Sequence, residues 1–365
     1  MKIVLSGGGT AGHINPALAL AEELQRRGHT VDFAGTPQGV ESRLVTEAGI
    51  PFTAFEATGF DRSRPASLFK GVSKILKSTK KARDWFKSIE PDVVVGFGGY
   101  VSIPVGRAAS SLNIPLVVHE QNSVAGMANK YLGKEAQAVA LTYDINKDAF
   151  GDSSKVVVTG NPVRTSVIEA SREAGREMLD ISEDSLVLLV FGGSLGARHI
   201  NNALVALKDR LLEKEGLVVV QVSGPKEYED VKEALALSPD QEKRWKLFSY
   251  QDRMGETMAA SDVVVSRAGA TSLAEISVRR IPAVLVPFPY ATEDHQTTNA
   301  KAYVDKGAAY MIADDLVESD QFAELLFSLL NSEEARNNMI AAAATFETQN
   351  AASRLADVVI KAANR

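Results

Sequence analysis

Asp262-Val-Val-Val-Ser-Arg-Ala-Gly-Ala-Thr-Ser-Leu-Ala-Glu275 is the stretch from which the rest of the chain can be read. Three consecutive valines match a strand buried on both faces, as in a parallel sheet. Residues 266–271 are too small and polar to prolong it. Ser272-Leu-Ala-Glu275 has the spacing of a capping box, so a helix is expected to open there. A strand that turns straight into a helix aims unpaired N–H groups and a positive dipole end past the strand's carboxyl edge, which suits an anion. The next apolar run, Pro282-Ala-Val-Leu-Val-Pro287, leads in the same way to Glu293-Asp-His-Gln-Thr-Thr-Asn299. Glu275 keeps two readings at this point: cap of its own helix, or carboxylate offered to a ligand.

Outward from this stretch, strand and helix patterns alternate. Strands are expected at 2–6, 30–35, 51–56, 92–96, 116–119, 137–141 and 155–159, then at 186–191, 217–222, 246–249, 262–266, 283–286 and 309–312. Amphipathic helical patterns between most of them imply an α/β fold with parallel, doubly wound sheets. Asn161-Pro-Val-Arg164 interrupts the alternation and is expected to be the hinge between two Rossmann-like domains, 1–163 and 164–349. A last helical segment, 350–363, is expected to cross back to the first. Two such domains facing each other would form a cleft at the carboxyl ends of their strands, where ligands of open α/β sheets sit.

The 365 residues are enough for two cores, and the composition, 45% apolar and 24% charged, is that of a globular protein. Without cysteine there are neither disulfides nor thiolate metal sites. No apolar run approaches the roughly 18 residues of a membrane span, and Met1-Lys-Ile-Val-Leu-Ser-Gly enters a strand directly, so a cytosolic protein is expected. Residues 1–163 hold 18 Lys and Arg against 15 Asp and Glu, a balance of +3; the remainder holds 22 against 31, or −9. The basic half is expected to meet something anionic.

Gly7-Gly-Gly-Thr10-Ala11-Gly12-His13 follows the first strand and fits the Gly-x-Gly-x-x-Gly dinucleotide fingerprint. The second strand ends in Ala34-Gly35-Thr36 without the acid that would hold a nicotinamide ribose, which argues against a dehydrogenase. His13, where the loop becomes helix, is a candidate proton acceptor, or a histidine that only bonds its loop. Gly96-Phe-Gly-Gly-Tyr100-Val-Ser102 and His119-Glu120-Gln121-Asn122 follow later strands in the same manner. No His-x-x-x-His or Asp-x-Asp occurs, so no metal is expected.

Residues 62–87 carry nine basic residues and one acid, Asp84. Leu68, Phe69, Val72, Ile75 and Leu76 recur at helical spacing among Lys70, Lys74, Lys77, Lys80, Lys81 and Arg83. Such a helix suits an anionic bilayer surface, or packs its stripe on its own domain. No base-stacking aromatics are interleaved with the charge, and the whole protein is acidic, so nucleic acid is not an expected partner.

Seven motifs in this order give the chain its resemblance: Gly8-Gly-Thr-Ala-Gly-His13, Gly98-Gly-Tyr-Val-Ser102, His119-Glu-Gln-Asn122, Gly160-Asn-Pro-Val-Arg164, Gly192-Gly-Ser-Leu-Gly-Ala197, the 266–275 turn and Gln296-x-x-Asn299-Ala. Over nearly its whole length it resembles the UDP-N-acetylglucosamine–N-acetylmuramyl-(pentapeptide) pyrophosphoryl-undecaprenol N-acetylglucosamine transferases. Ala11 and Pro289-Tyr-Ala-Thr depart from the family's usual residues. The resemblance implies the GT-B fold and inverting transfer of N-acetylglucosamine to the 4-hydroxyl of an undecaprenyl-linked muramyl-pentapeptide, at the cytoplasmic face of the membrane, without a cofactor. It further implies that Glu275 takes both ribose hydroxyls of UDP-N-acetylglucosamine. Ala270, Thr271, Ser272, Leu273, Ala274 and Ser194 would meet its diphosphate, Arg164 would add charge, Gln251 would lie near uracil, and Gln296 would hold sugar hydroxyls. Thr10, Ala11, Gly12 and Asn122 would complete the donor contacts. His13 is the favoured base and Glu120 its rival, with Tyr100 as an orienting group. The lipid acceptor raises the weight of membrane contact through Leu68, Phe69, Val72, Lys74, Ile75, Leu76 and Lys77.

Overall fold

The computed structural model describes residues 1–57, 65–144, 147–193, 197–346 and 348–364, with the backbone alone at 65–72, 147, 148 and 292. Packing divides the chain into two compact units, Met1–Arg164 with Thr348–Arg365, and Thr165–Glu347.

The first unit is built on a parallel sheet of β1 (Lys2–Ser6), β2 (Thr30–Gly35), β3 (Phe52–Ala54), β4 (Val93–Gly96), β5 (Leu116–Glu120), β6 (Ala138–Leu141) and β7 (Val156–Val158), in the order 3-2-1-4-5-6-7. Side chains alternate across it with the strand period of two. Ile3 and Leu5 join Ile14, Leu18 and Phe33 on one face, while Val4 joins Phe86, Val105 and Leu132 on the other. The helix Ala351–Ala363 belongs to the first face, where Leu355 and Val359 are fully buried. Arg27, at the end of the helix Ala11–Arg26, locks it in place by bonding Asp357 at 2.6 Å and the Ser353 hydroxyl at 2.7 Å.

The second unit repeats the design with β8 (Leu186–Phe191), β9 (Leu217–Val222), β10 (Trp245–Phe248), β11 (Val263–Ser266), β12 (Ala283–Leu285) and β13 (Ala309–Met311), all parallel, in the order 10-9-8-11-12-13. Counted within its own sheet this is again 3-2-1-4-5-6. In each unit the order therefore reverses beside the first strand, between β1 and β4 and between β8 and β11, which is where open α/β sheets hold ligands. Asp262 fixes the entry to β11: it accepts from Arg172 at 2.6 Å, from buried Arg176 at 3.1 Å and from the Val187 amide at 2.8 Å. A closed polar chain crosses the core, Trp245 Nε1 to Gln221, Gln221 to Asn201 and Asn201 to the Ser223 carbonyl, each at 3.0 Å. Every member is satisfied, so the buried polarity specifies one packing without stranding a donor or acceptor in the core.

Candidate active site

The first unit gathers three glycine or polar turns at the carboxyl ends of β1, β4 and β5. After β1, Gly7–Thr10 lead into the helix Ala11–Arg26, whose N-cap Thr10 makes no side-chain capping bond. His13 sits in the first turn, with Nδ1 2.9 Å from the Gly8 carbonyl and 3.5 Å from the Thr10 hydroxyl. A carbonyl oxygen only accepts, so Nδ1 carries a proton, and the tautomer this bond selects is the one whose acceptor nitrogen is Nε2. That atom faces Gly98, where an added Cβ would stand 3.3 Å from Nε2. Gly98 and Gly99 have φ of +98° and +78°, and a Cβ on Gly99 would stand 2.4 Å from the Gly8 oxygen, so only glycine lets the turn after β4 close on the turn after β1. Ser102 pins this closure, donating to the carbonyls of Ser6 and Gly98 at 3.0 and 2.7 Å. Tyr100 stands on the same turn, 39% exposed.

Glu120, the rival base, is committed to its own loop. It is 3% exposed, and accepts from the Asn122 amide at 3.0 Å, the Gly126 amide at 2.9 Å and the Asn129 side chain at 2.8 Å. A carboxylate so occupied holds Asn122 in place. His119 is fully buried and has the opposite tautomer to His13: Nε2 donates to the Gly160 carbonyl at 3.1 Å and Nδ1 accepts from Gln121 at 3.0 Å. Burial depresses its pKa to about 4, partly offset by the bond to Gly160, so it stays neutral and ties β5 to the 160–164 segment. Arg164 is half-buried at the end of that segment.

In the second unit the turn after β11 is shorter than expected. The helix runs Ala270–Arg279 with extended Gly269 as N-cap and no side-chain capping bond, so Ser272 and Glu275 do not form a capping box. Glycine supplies the break itself, and the helix begins two residues before the serine. Ser272 lies in the first turn and Glu275 beyond it, both half-buried, and no acid occupies the first turn. Ala270, Leu273 and Ala274 are buried, so they can meet a ligand through backbone atoms rather than side chains. Thr271 is half-buried beside them.

The helix His295–Val304 clamps this turn. Gln296 Oε1 accepts from the amides of Ala268 at 3.2 Å and Phe288 at 2.9 Å, and buried Asn299 donates to the Ala268 carbonyl at 3.2 Å. Both ends of one peptide segment are thus held from two positions three residues apart on one helix face. With the carbonyl of Gln296 used, its amide nitrogen is the group that can meet a ligand. Arg267 braces the turn from behind, donating to Val286 and Pro287 carbonyls and pairing with Asp314 at 2.5 Å. Gln251 accepts from the Arg253 amide at 3.0 Å, opening the helix Met254–Ala260. Ser194 lies outside the described residues.

The basic helix runs Pro65–Ile89. The side chains of Leu68, Phe69 and Val72 lie outside the described ones. Ile75 is a correction: it is 9% exposed and faces its own unit, in line with Ser78, Ala82 and Phe86. Leu76 is 56% exposed, Lys77 and Lys80 point outward, and Lys74 lies 3.9 Å from Glu56. Lys81 is structural, donating to the Ala54 carbonyl and covering the Phe55 ring. Among the described residues no helix is long and apolar enough to cross a membrane.

Sequence reading missed Glu41, buried under the glycine loop, and gave no role to Asn299. The one available signal was an acid two residues after Gly39, in the first turn of the helix Val40–Glu47.

Comparison with known proteins matches residues 3–141 to the glycosyltransferase family 28 N-terminal domain and residues 187–355 to its C-terminal domain. Fold and match together define a glycosyltransferase of GT-B type. Among similar proteins, the UDP-N-acetylglucosamine--N-acetylmuramyl-(pentapeptide) pyrophosphoryl-undecaprenol N-acetylglucosamine transferase of Leuconostoc mesenteroides is 42% identical over 99% of both chains. The Bacillus licheniformis enzyme of the same name is 39% identical over 98% of both. The crystal structure of Acinetobacter baumannii MurG superposes with a TM-score of 0.73 at 31% identity, over 99% of each chain. A UDP-GlcNAc 2-epimerase from Neisseria meningitidis, 16% identical over 99% of this chain and 100% of its own with a TM-score of 0.69, shares the fold. The chain belongs to the family of these N-acetylmuramyl-(pentapeptide) pyrophosphoryl-undecaprenol N-acetylglucosamine transferases.

Proposed function

We propose that the chain transfers N-acetylglucosamine from UDP-N-acetylglucosamine to the 4-hydroxyl of undecaprenyl-diphospho-N-acetylmuramoyl-pentapeptide, with inversion at the anomeric carbon, in bacterial wall synthesis. The observation that carries this reading is His13, locked by the Gly8 carbonyl in the tautomer that leaves Nε2 bare at the mouth of a glycine turn. Nε2 accepts the proton of the acceptor hydroxyl as its oxygen forms a bond to C1. The bond from C1 to the UDP oxygen breaks on the opposite face, and the proton later passes to solvent. Glu120 is not assigned this step, because three donors already hold it.

The second unit is assigned the donor. Glu275 accepts the ribose hydroxyls. The N-terminal turn of the helix Ala270–Arg279, with Ser194 and Arg164, takes the negative charge that builds on the departing diphosphate. Gln251 serves the uracil, and the Gln296 amide nitrogen a sugar hydroxyl. Thr10, Ala11, Gly12 and Asn122 complete the donor contacts, with Tyr100 orienting the base. The first unit is assigned the lipid acceptor and a peripheral seat on the cytoplasmic membrane face, through Leu68, Phe69, Val72, Leu76 and the outward lysines.

Purified protein is expected to release UDP only when a muramyl lipid acceptor is present. In Glu275→Gln the KM for UDP-N-acetylglucosamine should rise about 10- to 100-fold, the value of hydrogen bonds to one charged group. UDP release without acceptor, or unchanged donor binding in Glu275→Gln, would overturn the assignment.

A further inference from the structure

Glu41 is fully buried, and its carboxylate accepts from the segments that follow β1 and β2. Oε1 accepts from the Thr36 amide at 2.9 Å and the Thr36 hydroxyl at 2.6 Å, and Oε2 lies 3.4 Å from the Gly9 amide. Its place is built by missing side chains. A Cβ on Gly8 would stand 2.5 Å from Oε1, one on Gly39 2.2 Å from Oε2, and one on Gly35 2.6 Å from Cγ. The first turn of its own helix adds the positive end of a dipole. Three glycines, Gly8 from the turn after β1, Gly35 at the end of β2 and Gly39 from the turn that follows it, thus form a socket around one carboxylate that solvent does not reach.

The Gly9 amide and the Gly8 carbonyl are the two ends of one peptide group. Its N–H faces Glu41 and its oxygen accepts from His13 Nδ1 at 2.9 Å. Hydrogen bonds in series through one amide polarise each other in the same direction. A carboxylate on the N–H side makes the carbonyl a stronger acceptor, and that holds the proton on Nδ1 and the ring in plane. We propose that Glu41 is a positioning residue for His13, fixing through the Gly8–Gly9 peptide the orientation and tautomer in which Nε2 is the proton acceptor. Glu41 never touches substrate. The catalytic part of this inference rests on the transfer reaction proposed above, whereas the tautomer part does not.

The test is Glu41→Gln, which keeps the shape and an acceptor for Thr36 but can turn an N–H toward the Gly9 amide. Two readouts are needed on the full chain: steady-state transfer, and the ¹⁵N shifts of the His13 ring, assigned with His13→Asn. The expected result is a kcat lowered about 10- to 100-fold with donor KM within about threefold, the size of effect seen when a functional histidine loses an outer-shell partner. The ¹⁵N pattern should move from the Nδ1–H form to a mixture of tautomers. Thr36→Val, a milder change that removes one donor from Glu41, should shift both readouts the same way by less, and decides the matter should Glu41→Gln not fold. An unaltered ¹⁵N pattern in a folded variant would overturn the proposal, whatever happens to kcat. Should wild type transfer no sugar while the tautomer still follows Glu41, the reaction assignment fails and the positioning role stands.

Discussion

The two units share one strand order, yet their turns at the carboxyl edge are braced by opposite kinds of group. In the first unit, carboxylates sit behind the turns: Glu41 behind Gly8 and Gly9, and Glu120 behind Asn122 and Gly126. In the second, the turn after β11 is held by two neutral amides, Gln296 and Asn299, with the Arg267 guanidinium beneath. A carboxylate that accepts loop amides uses up donors an anion would want and adds repulsion. A neutral clamp leaves the helix start positive. In the reaction proposed above, this contrast suits the first copy to proton acceptance and the second to phosphate.

The sharpest way to break this contrast is at His13. His13→Ala should lower kcat by about 10²- to 10⁴-fold, the usual contribution of a positioned base, with donor KM nearly unchanged. Equal loss in kcat/KM for donor binding alone would place His13 on the phosphate side. Acid should next separate the units, because His119 is neutral and buried in the first and has no counterpart in the second unit's clamp. Its folded pKa of about 4 lies below the ordinary 6.5, so the unfolded chain binds the proton first. The stability present above pH 6.5 is lost as the pH falls toward 4, by about 3 kcal/mol for this one group. Urea denaturation of wild type and His119→Asn at pH 7 and pH 4.5 measures it, and the variant should show a flatter dependence.

Seven of the first unit's Lys and Arg residues lie on the helix Pro65–Ile89, outside the turns that carry His13 and Glu120, so charge reversal there should spare turnover with a soluble acceptor. Lys77→Glu with Lys80→Glu should weaken sedimentation with anionic vesicles by at least about 30-fold, since each lysine lost near the surface costs roughly 1 kcal/mol and each glutamate adds repulsion. Equal binding to vesicles would remove this helix from the membrane face. The smallest effect sharpens the clamp itself. Gln296→Glu keeps both accepted amides but puts a charge like that of the first unit behind the second unit's turn. UDP affinity measured by calorimetry should fall about 5- to 10-fold, within the range of a charge at a helix terminus.

Much of this was legible in residue order. Val263–Val265 read as a buried strand because three β-branched residues bounded by polar ones have few other places in a fold, and β1, β2, β8 and β9 match their apolar runs end to end. Local pattern failed where a non-local partner or an earlier start took over. Ser272 and Glu275 have the spacing of a cap, but Gly269 starts the helix first. Ile75 and Leu76 are neighbours of equal hydrophobicity, and only packing against the sheet's helical layer sends one inward and the other to solvent.

The sequence by itself determined the alternation of strands and helices, the glycine turns and the family, since these follow from side-chain period, backbone freedom and motif order along the chain. Tertiary structure alone decided what stands behind each turn. Glu41 reaches Gly9 from 32 residues away, Asn299 reaches Ala268 from 31, and Glu120 spends its charge on its own loop. Whether a carboxylate meets a substrate or a backbone amide depends on burial and on which donors arrive first, and neither is a property of the local sequence.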